Sequence, residues 1–225
     1  MNITFNLLKF WAALCHPRYW SRDKAIIFMS EIQGLDGNKL RMYDCLVKKS
    51  RIAFSGEENS IQIKGCEIFN CDIFLRGKGH SLIIEDGVRL HNMWIKIIGE
   101  GNTVHIGPKS TFGSGHIISG GNKTVISIGK NCMIADEVDI WGTDTHSIYQ
   151  NGNLVNPPAS ITIGDHVWIG KDVAILKGVN IGDNAVIGMR SLVTKDIVAG
   201  TLNVGSPAKA IRQDIDWNRL NPNNE

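Results

Sequence analysis

The sequence predicts an all-β chain wound into a parallel β-helix, and two observations predict it. The first is a strict six-residue period: Ile163-Gly-Asp-His-Val-Trp, Ile169-Gly-Lys-Asp-Val-Ala, Ile175-Leu-Lys-Gly-Val-Asn, Ile181-Gly-Asp-Asn-Ala-Val, Ile187-Gly-Met-Arg-Ser-Leu and Val193-Thr-Lys-Asp-Ile-Val. Each unit opens on a β-branched aliphatic, and its fifth place holds Val, Ala, Ser or Ile. A helix repeats its apolar residues three and four apart and a strand two apart, so a period of six fits neither. It fits a short strand followed by a tight corner, with three sides closing a triangular coil of about eighteen residues. The second observation is a set of glycine-bearing corners at Gly56, Gly77, Gly99, Gly120 and Gly142, with apolar runs between them. These read as longer coils of the same kind, giving about seven coils from Ile61 to Gly205. The leading aliphatics then stack inward at a coil spacing of about 4.8 Å. Each buried one contributes about 1.5 to 3 kcal/mol.

In chain order, residues 1–50 read as an N-terminal helical segment. Residues 3–14 are apolar and aromatic and stop at Pro17, and a mixed stretch from Arg22 to Glu31 continues as helix to Gly34. The first stretch is too short to span a bilayer. It is expected to pack on the first coil and cover a sheet edge; the alternative is peripheral membrane contact through an interfacial helix at residues 3–14. Residues 51–205 form the β-helix domain, interrupted by a loop at 143–160. Residues 206–225 are a C-terminal tail or short helix.

Composition excludes several classes. A formal charge of +2, with no Lys/Arg run interleaved with aromatics, argues against nucleic acid. Five cysteines without a CxxC suggest neither a disulfide framework nor a zinc knuckle. They read as core thiols of a protein in a reducing cytoplasm, and no secretory signal is visible. The histidines show no spacing assignable to a metal site, so no metal is expected.

Chemistry is expected where the period breaks, because a coil protein carries a long excursion when the loop has a job. His146 stands at the entry of loop 143–160, between Asp144 and Tyr149. Gly142-Thr-Asp-Thr-His146, then Ile161-Thr-Ile-Gly-Asp-His-Val-Trp168, then Asn184 to Asp196 and Gly205-Ser-Pro-Ala-Lys-Ala-Ile-Arg212 resemble the hexapeptide-repeat acyltransferases. Within them the chain is similar to bacterial sugar and polysaccharide O-acetyltransferases. The resemblance is specific from Ile126 to Arg212, is architectural upstream to Ile61, and does not cover residues 1–50.

That resemblance implies a left-handed coil, a homotrimer with sites between subunits, acetyl-CoA as donor and a carbohydrate acceptor. It implies that His146 takes the proton of a sugar hydroxyl as the oxygen attacks the thioester. An alcohol titrates far above neutrality, and imidazole is the side chain tuned to remove its proton during attack. Trp168 matches a family tryptophan near the acceptor and acetyl group, and Asp144 is a candidate to orient His146. Gly170 and Gly188, with their successors Lys171 and Met189, match positions whose backbone amides hold the CoA arm and bind the oxyanion. Lys195, Lys209 and Arg212, with Thr194, match positions that meet the CoA phosphates. Met189-Arg190 stands where relatives have small residues, and their acceptor-binding Asn and Asp find no equivalent. His116 and Tyr149 are then expected to face the sugar. The competing readings are N-acylation of an amino sugar nucleotide, a metal-dependent hydratase on the same coil, and a non-catalytic scaffold.

Overall fold

A computed structural model of the protein describes residues 20–23 and 25–220. The backbone winds as a parallel β-helix whose coils lay one strand on each of three sheets, two of eight strands and one of ten. Ser60–Lys64, Glu67–Phe69 and Asp72–Lys78 are one such coil, and they define the first, second and third faces. Partners lie 20 to 23 residues apart upstream (Glu31 to Arg51, Ser60 to Ser81 to Thr103, His116 to Asp139) and 18 apart in the hexapeptide region (Ile163 to Ile181).

Period six works because it places two residues of each unit inside. The leading Ile163, Ile169, Ile175, Ile181, Ile187 and Val193 are buried, and so are the fifth-place Val167, Val173, Val179, Ala185, Ser191 and Ile197. The second place falls at the corner. Coil on coil, the interior is a set of aliphatic columns, such as Ile52–Ile73–Ile95–Ile117–Ile140–Ile175–Val193 on the third face. Cys45, Cys66, Cys71 and Cys132 are buried free thiols in this stack. Burial pushes the Cys66 thiol up to about 12 and those of Cys45 and Cys71 up to about 11, so they behave as small apolar fillers.

The corner between the third and first faces holds a second, polar column. Asn38, Asn59, His80, Asn102 and Thr124 are buried there in successive coils. Asn59 Nδ2 donates to the Gly77 carbonyl at 3.0 Å, while its Oδ1 accepts the His80 backbone N–H at 3.0 Å. Asn102 repeats this with the Gly121 carbonyl and the Thr124 N–H. His80 replaces asparagine: its Nδ1 accepts the Asn102 N–H at 3.2 Å, and its Nε2 lies 3.1 Å from the Arg76 carbonyl. Both bonds together need the neutral ring with its proton on Nε2. The glycines beside this column, Gly56, Gly77, Gly99 and Gly121, have φ of +123°, +129°, +111° and +88°. A Cβ on any of the first three would collide with the carbonyl of the next. The column passes through Gly121, not Gly120.

Two expectations are corrected. Residues 20–50 are not helical: Trp20–Asp23, Ile26–Phe28, Glu31–Gln33, Lys39–Tyr43 and Leu46–Lys48 are strands of the same coil stack, paired in parallel with the strands that follow. Short polar-flanked runs such as Ile26–Phe28 satisfy their backbone across coils, so no helical period is required of them. The apolar stretch 3–14 lies outside the described residues. The C-terminal segment is not a helix either. Lys209–Arg212 pairs antiparallel with Leu202–Val204, and residues up to 220 fold back over the second face. There Trp217 is buried, stacks on His166 at 4.1 Å and donates from Nε1 to the His166 carbonyl.

Two predictions test the corner. Burial holds the His80 imidazole below its usual range, so the folded state favours the neutral ring. Its contribution is present above about pH 6.5 and is lost as the pH falls toward the lower folded value. Tm is therefore expected to drop between pH 7.5 and 5, and His80→Asn is expected to flatten that slope; equal slopes would rule the imidazole out. Gly77→Ala should cost about 3 kcal/mol or more in denaturant unfolding. Gly79→Ala should cost about 1 to 2, because φ is also positive there but nothing stands within 4 Å of the added carbon.

Candidate active site

Loop 143–160 leaves and rejoins the stack at the third-to-first corner. The rung below it is kept: Ile126 still faces Ile161, although 35 residues separate them instead of 22. The Ala159 N–H donates to the Gly142 carbonyl at 3.0 Å and closes the neck of the loop. Inside, Asn156 is the hub. Its Oδ1 accepts the Ile148 N–H at 2.6 Å, and its Nδ2 donates to the His146 carbonyl at 2.9 Å and to the Asp144 carboxylate at 2.8 Å. Lys177, from the next coil, donates to the same Asp144 oxygen and to the Asn156 carbonyl.

His146 is exposed at the mouth of a pocket of about 260 Å³. Ile98, Gly99, Gly121, Thr145, Leu154 and Pro158 contribute to its lining. Gly99 and Gly121 belong to the glycine column, so the ridge of bare backbone is the floor below the histidine. The His146 ring makes no hydrogen bond among the described residues. Asp144 is therefore not its orienting partner in this chain. The Lys177 ammonium, and then the Asn156 amide, hold its carboxyl below the usual range, so it pins the loop instead. Tyr149 is 65% exposed and pairs through Tyr149–Gln150 with Asn153–Leu154 in a hairpin; its side chain is not part of the pocket lining.

The other expected residues lie elsewhere on the triangular section. Trp168 stands on the second face, 38% exposed, with the Trp217 ring centroid 6.1 Å away. Gly170, Lys171, Gly188 and Met189 sit at the second-to-third corner, and Lys209 and Arg212 on the outer strand of the second face. Thr194 and Lys195 return to the third-to-first corner, the corner of His146. Lys171 pairs with Glu137 at 3.4 Å and Arg190 with Asp172 at 3.5 Å. The N–H groups of Gly170 and Gly188 donate to the carbonyls of Ile187 and Asn203, both at 2.8 Å. They are committed to the stack, so neither is free for a thioester carrier or an oxyanion. What these glycines supply is bare backbone: a Cβ on Gly170 would sit 2.7 Å from the Met189 nitrogen.

His116 is on the third face, with Nδ1 2.7 Å from the Asp139 carboxylate and the Trp94 ring edge-on at 5.4 Å. It opens into a separate groove of about 1200 Å³ rather than onto His146 of the same chain. Among the described residues no cluster of three metal-ligating side chains occurs. Sequence reasoning missed Lys177, Asn156 and Trp217. Only Lys177 carried a signal, because it lies in the unit where Leu176 replaces the usual second-place glycine.

Residues 160–195 match the model of the bacterial transferase hexapeptide family (six repeats). The chain is 35% identical over 149 residues to the polysialic acid O-acetyltransferase of Neisseria meningitidis, covering 65% of this chain and 68% of that protein. It is 37% identical over 131 residues to the galactoside O-acetyltransferase of Escherichia coli (strain K12), covering 56% and 63%. The crystallographically analysed polysialic acid O-acetyltransferase OatWY superposes with a TM-score of 0.79 at 32% identity, covering 87% of this chain and 92% of that one.

Lys177→Met is expected to free the loop without unfolding the coil. Limited proteolysis within 143–160 should accelerate while Tm stays near that of the parent. Because the Asp144 carboxyl titrates low, the pin holds above its unfolded value of about 3.9 and is lost only as pH falls through the lower folded value. Loop protection in the parent should therefore persist from pH 8 down to about 4.

Proposed function

This chain belongs to the hexapeptide-repeat acetyltransferases, and from that premise we propose that it moves an acetyl group from acetyl-CoA to a hydroxyl of a bacterial polysaccharide or its sugar precursor. His146 is the general base. The observation that carries the reading is its placement: an exposed imidazole at a pocket mouth, on a loop whose backbone is pinned by Asn156 and Lys177. Such a group holds its position while both ring nitrogens stay open to a substrate hydroxyl.

In the proposed reaction, a ring nitrogen of His146 takes the proton of the acceptor hydroxyl as that oxygen bonds to the thioester carbonyl carbon. The tetrahedral intermediate then collapses, the carbon–sulfur bond breaks, and the imidazolium returns the proton to the departing CoA sulfur. The products are an acetyl ester and free thiol. Trp168 is assigned to the acceptor and acetyl region, where its indole presents a flat apolar face. Trp217 walls it on one side. Lys195, Lys209 and Arg212 are the cations assigned to the CoA phosphates.

The site is assigned to two copies of the chain. His146 stands at the third-to-first corner, while Trp168, Gly170 and Gly188 stand on the second face and its far corner. A stiff triangular coil cannot bring these together, so a neighbour must supply one set. Rotation about a three-fold axis does so three times with a single contact, which is the basis for proposing a homotrimer.

His146→Ala is expected to lower kcat/KM by at least about 100-fold with Tm unchanged, read as thiol release from acetyl-CoA in the presence of acceptor. An unaltered rate would remove the base assignment. Trp168→Ala tests the sharing. Co-refolded with His146→Ala, two nearly inactive proteins should regain roughly a quarter of parental activity, from interfaces that unite an intact histidine with an intact tryptophan. No recovery would place the whole site within one chain.

A further inference from the structure

The groove of about 1200 Å³ follows the second-to-third corner along the coil axis. Each coil lines it with the same corner positions, so that Glu31, Arg51, Asp72, Trp94, His116 and Asp139 form one outward row, in register from strand to strand. The corner residues stay in step because Met29, Lys49, Asn70, Asn92, Glu137 and Asp172 all adopt φ between +50° and +59°. A corner repeated in this way makes the groove a straight trough rather than a set of dimples. At its far end Asp172 adjoins Lys171, on the corner assigned to the donor.

Three features of the trough describe what would fill it. Its pitch is one coil, about 4.8 Å, close to the length of a pyranose residue in an extended chain. Its wall offers the half-buried Trp94 ring, over which the Lys96 ammonium lies 5.5 Å from the centroid, beside the hydrogen-bonding His116–Asp139 pair, a combination of apolar ring and polar edge suited to a sugar. Its charge is acidic. Glu31, Asp72, Glu137, Asp139 and Asp172 line it against two cations, Lys49 and Arg51, with Lys171 and Arg190 pairing Glu137 and Asp172 at its far end. Arg51 is held bidentate by Asp72 at 3.1 and 2.7 Å, and the Lys49 ammonium lies 5.8 Å from the Phe69 ring centroid. Of these two, Arg51 is committed to Asp72, whereas Lys49 is exposed and holds no ion pair among the described residues.

We propose that this trough is an acceptor track, which binds consecutive residues of a linear glycan free of acidic sugars, about one residue per coil. Polysialic acid, which carries a carboxylate on every residue, is disfavoured there by the excess of lining carboxylates over lining cations. The track rests on the acetyltransferase reading, because it leads the polymer toward the donor corner.

The test is calorimetric titration of the full chain with oligosaccharides of two, four and six residues: N-acetylglucosamine, glucosamine and sialic acid series. At least one of the two non-acidic series should bind, about tenfold or more tightly as hexamer than as dimer, and Trp94→Ala should cost about tenfold or more of that affinity. The sialic acid hexamer should not bind the parent protein. The double charge reversal Asp72→Lys/Asp139→Lys should admit it and weaken the glucosamine hexamer. Failure of both non-acidic series, affinity that does not grow with length, or tight binding of sialic acid hexamer to the parent overturns the track. His146→Ala should retain hexamer binding. A parent protein that binds hexamer but acetylates no acceptor would overturn the catalytic reading and leave the track standing.

Discussion

Coil-to-coil register is the constraint on which the molecule depends. In a parallel stack each backbone N–H finds its carbonyl in the neighbouring coil, and each inward aliphatic finds its contact one coil away. A slip of one residue on one face would turn a column such as Ile52–Ile73–Ile95–Ile117–Ile140 outward and break the rungs on that side together. The faces are therefore nearly invariant in design, and variation collects at the corners. The 35-residue step from Ile126 to Ile161 shows how tolerant a corner is: the insertion leaves both rungs intact.

The three corners have diverged in chemistry. Between the third and first faces, an asparagine column with one histidine satisfies carbonyls freed by the left-handed glycines beside it. That column ends where the loop begins, so the rigid part of this corner supports its least rung-bonded part. Loop 143–160 is held by Asn156, Asp144 and Lys177, side-chain bonds near solvent, rather than by buried rungs. Regions of that kind open more readily than the stack beneath them. The proposed base, His146, sits on such an element with its carbonyl and amide both tied.

At the second-to-third corner the repeat builds a long trough instead of a loop. The same geometry that aligns the interior aligns the outward row through Trp94 and His116, so an extended surface arises without any dedicated element. The separation of this corner from His146 follows from the triangular section and is a property of a single chain. In the proposed trimer, assembly brings two corners of a stiff coil to one substrate.

The sequence by itself determined the coil, because a period of six is a local signal: which residues point inward is set by alternation within each short strand. It also marked the loop as the place where the rule breaks. It did not disclose that residues 20–50 continue the stack. There the period is long, the strands are three to five residues, and the inward positions mix Ile, Leu, Met and Val with buried asparagine. Only the tertiary structure decided that Asp144 answers to Lys177 and not to His146. The same holds for the amides of Gly170 and Gly188, which the stack already uses, and for the burial of Trp217 against His166. Each of these depends on a contact between residues one coil or more apart, and such distances are fixed by how the coils stack, not by the spacing of letters along the chain.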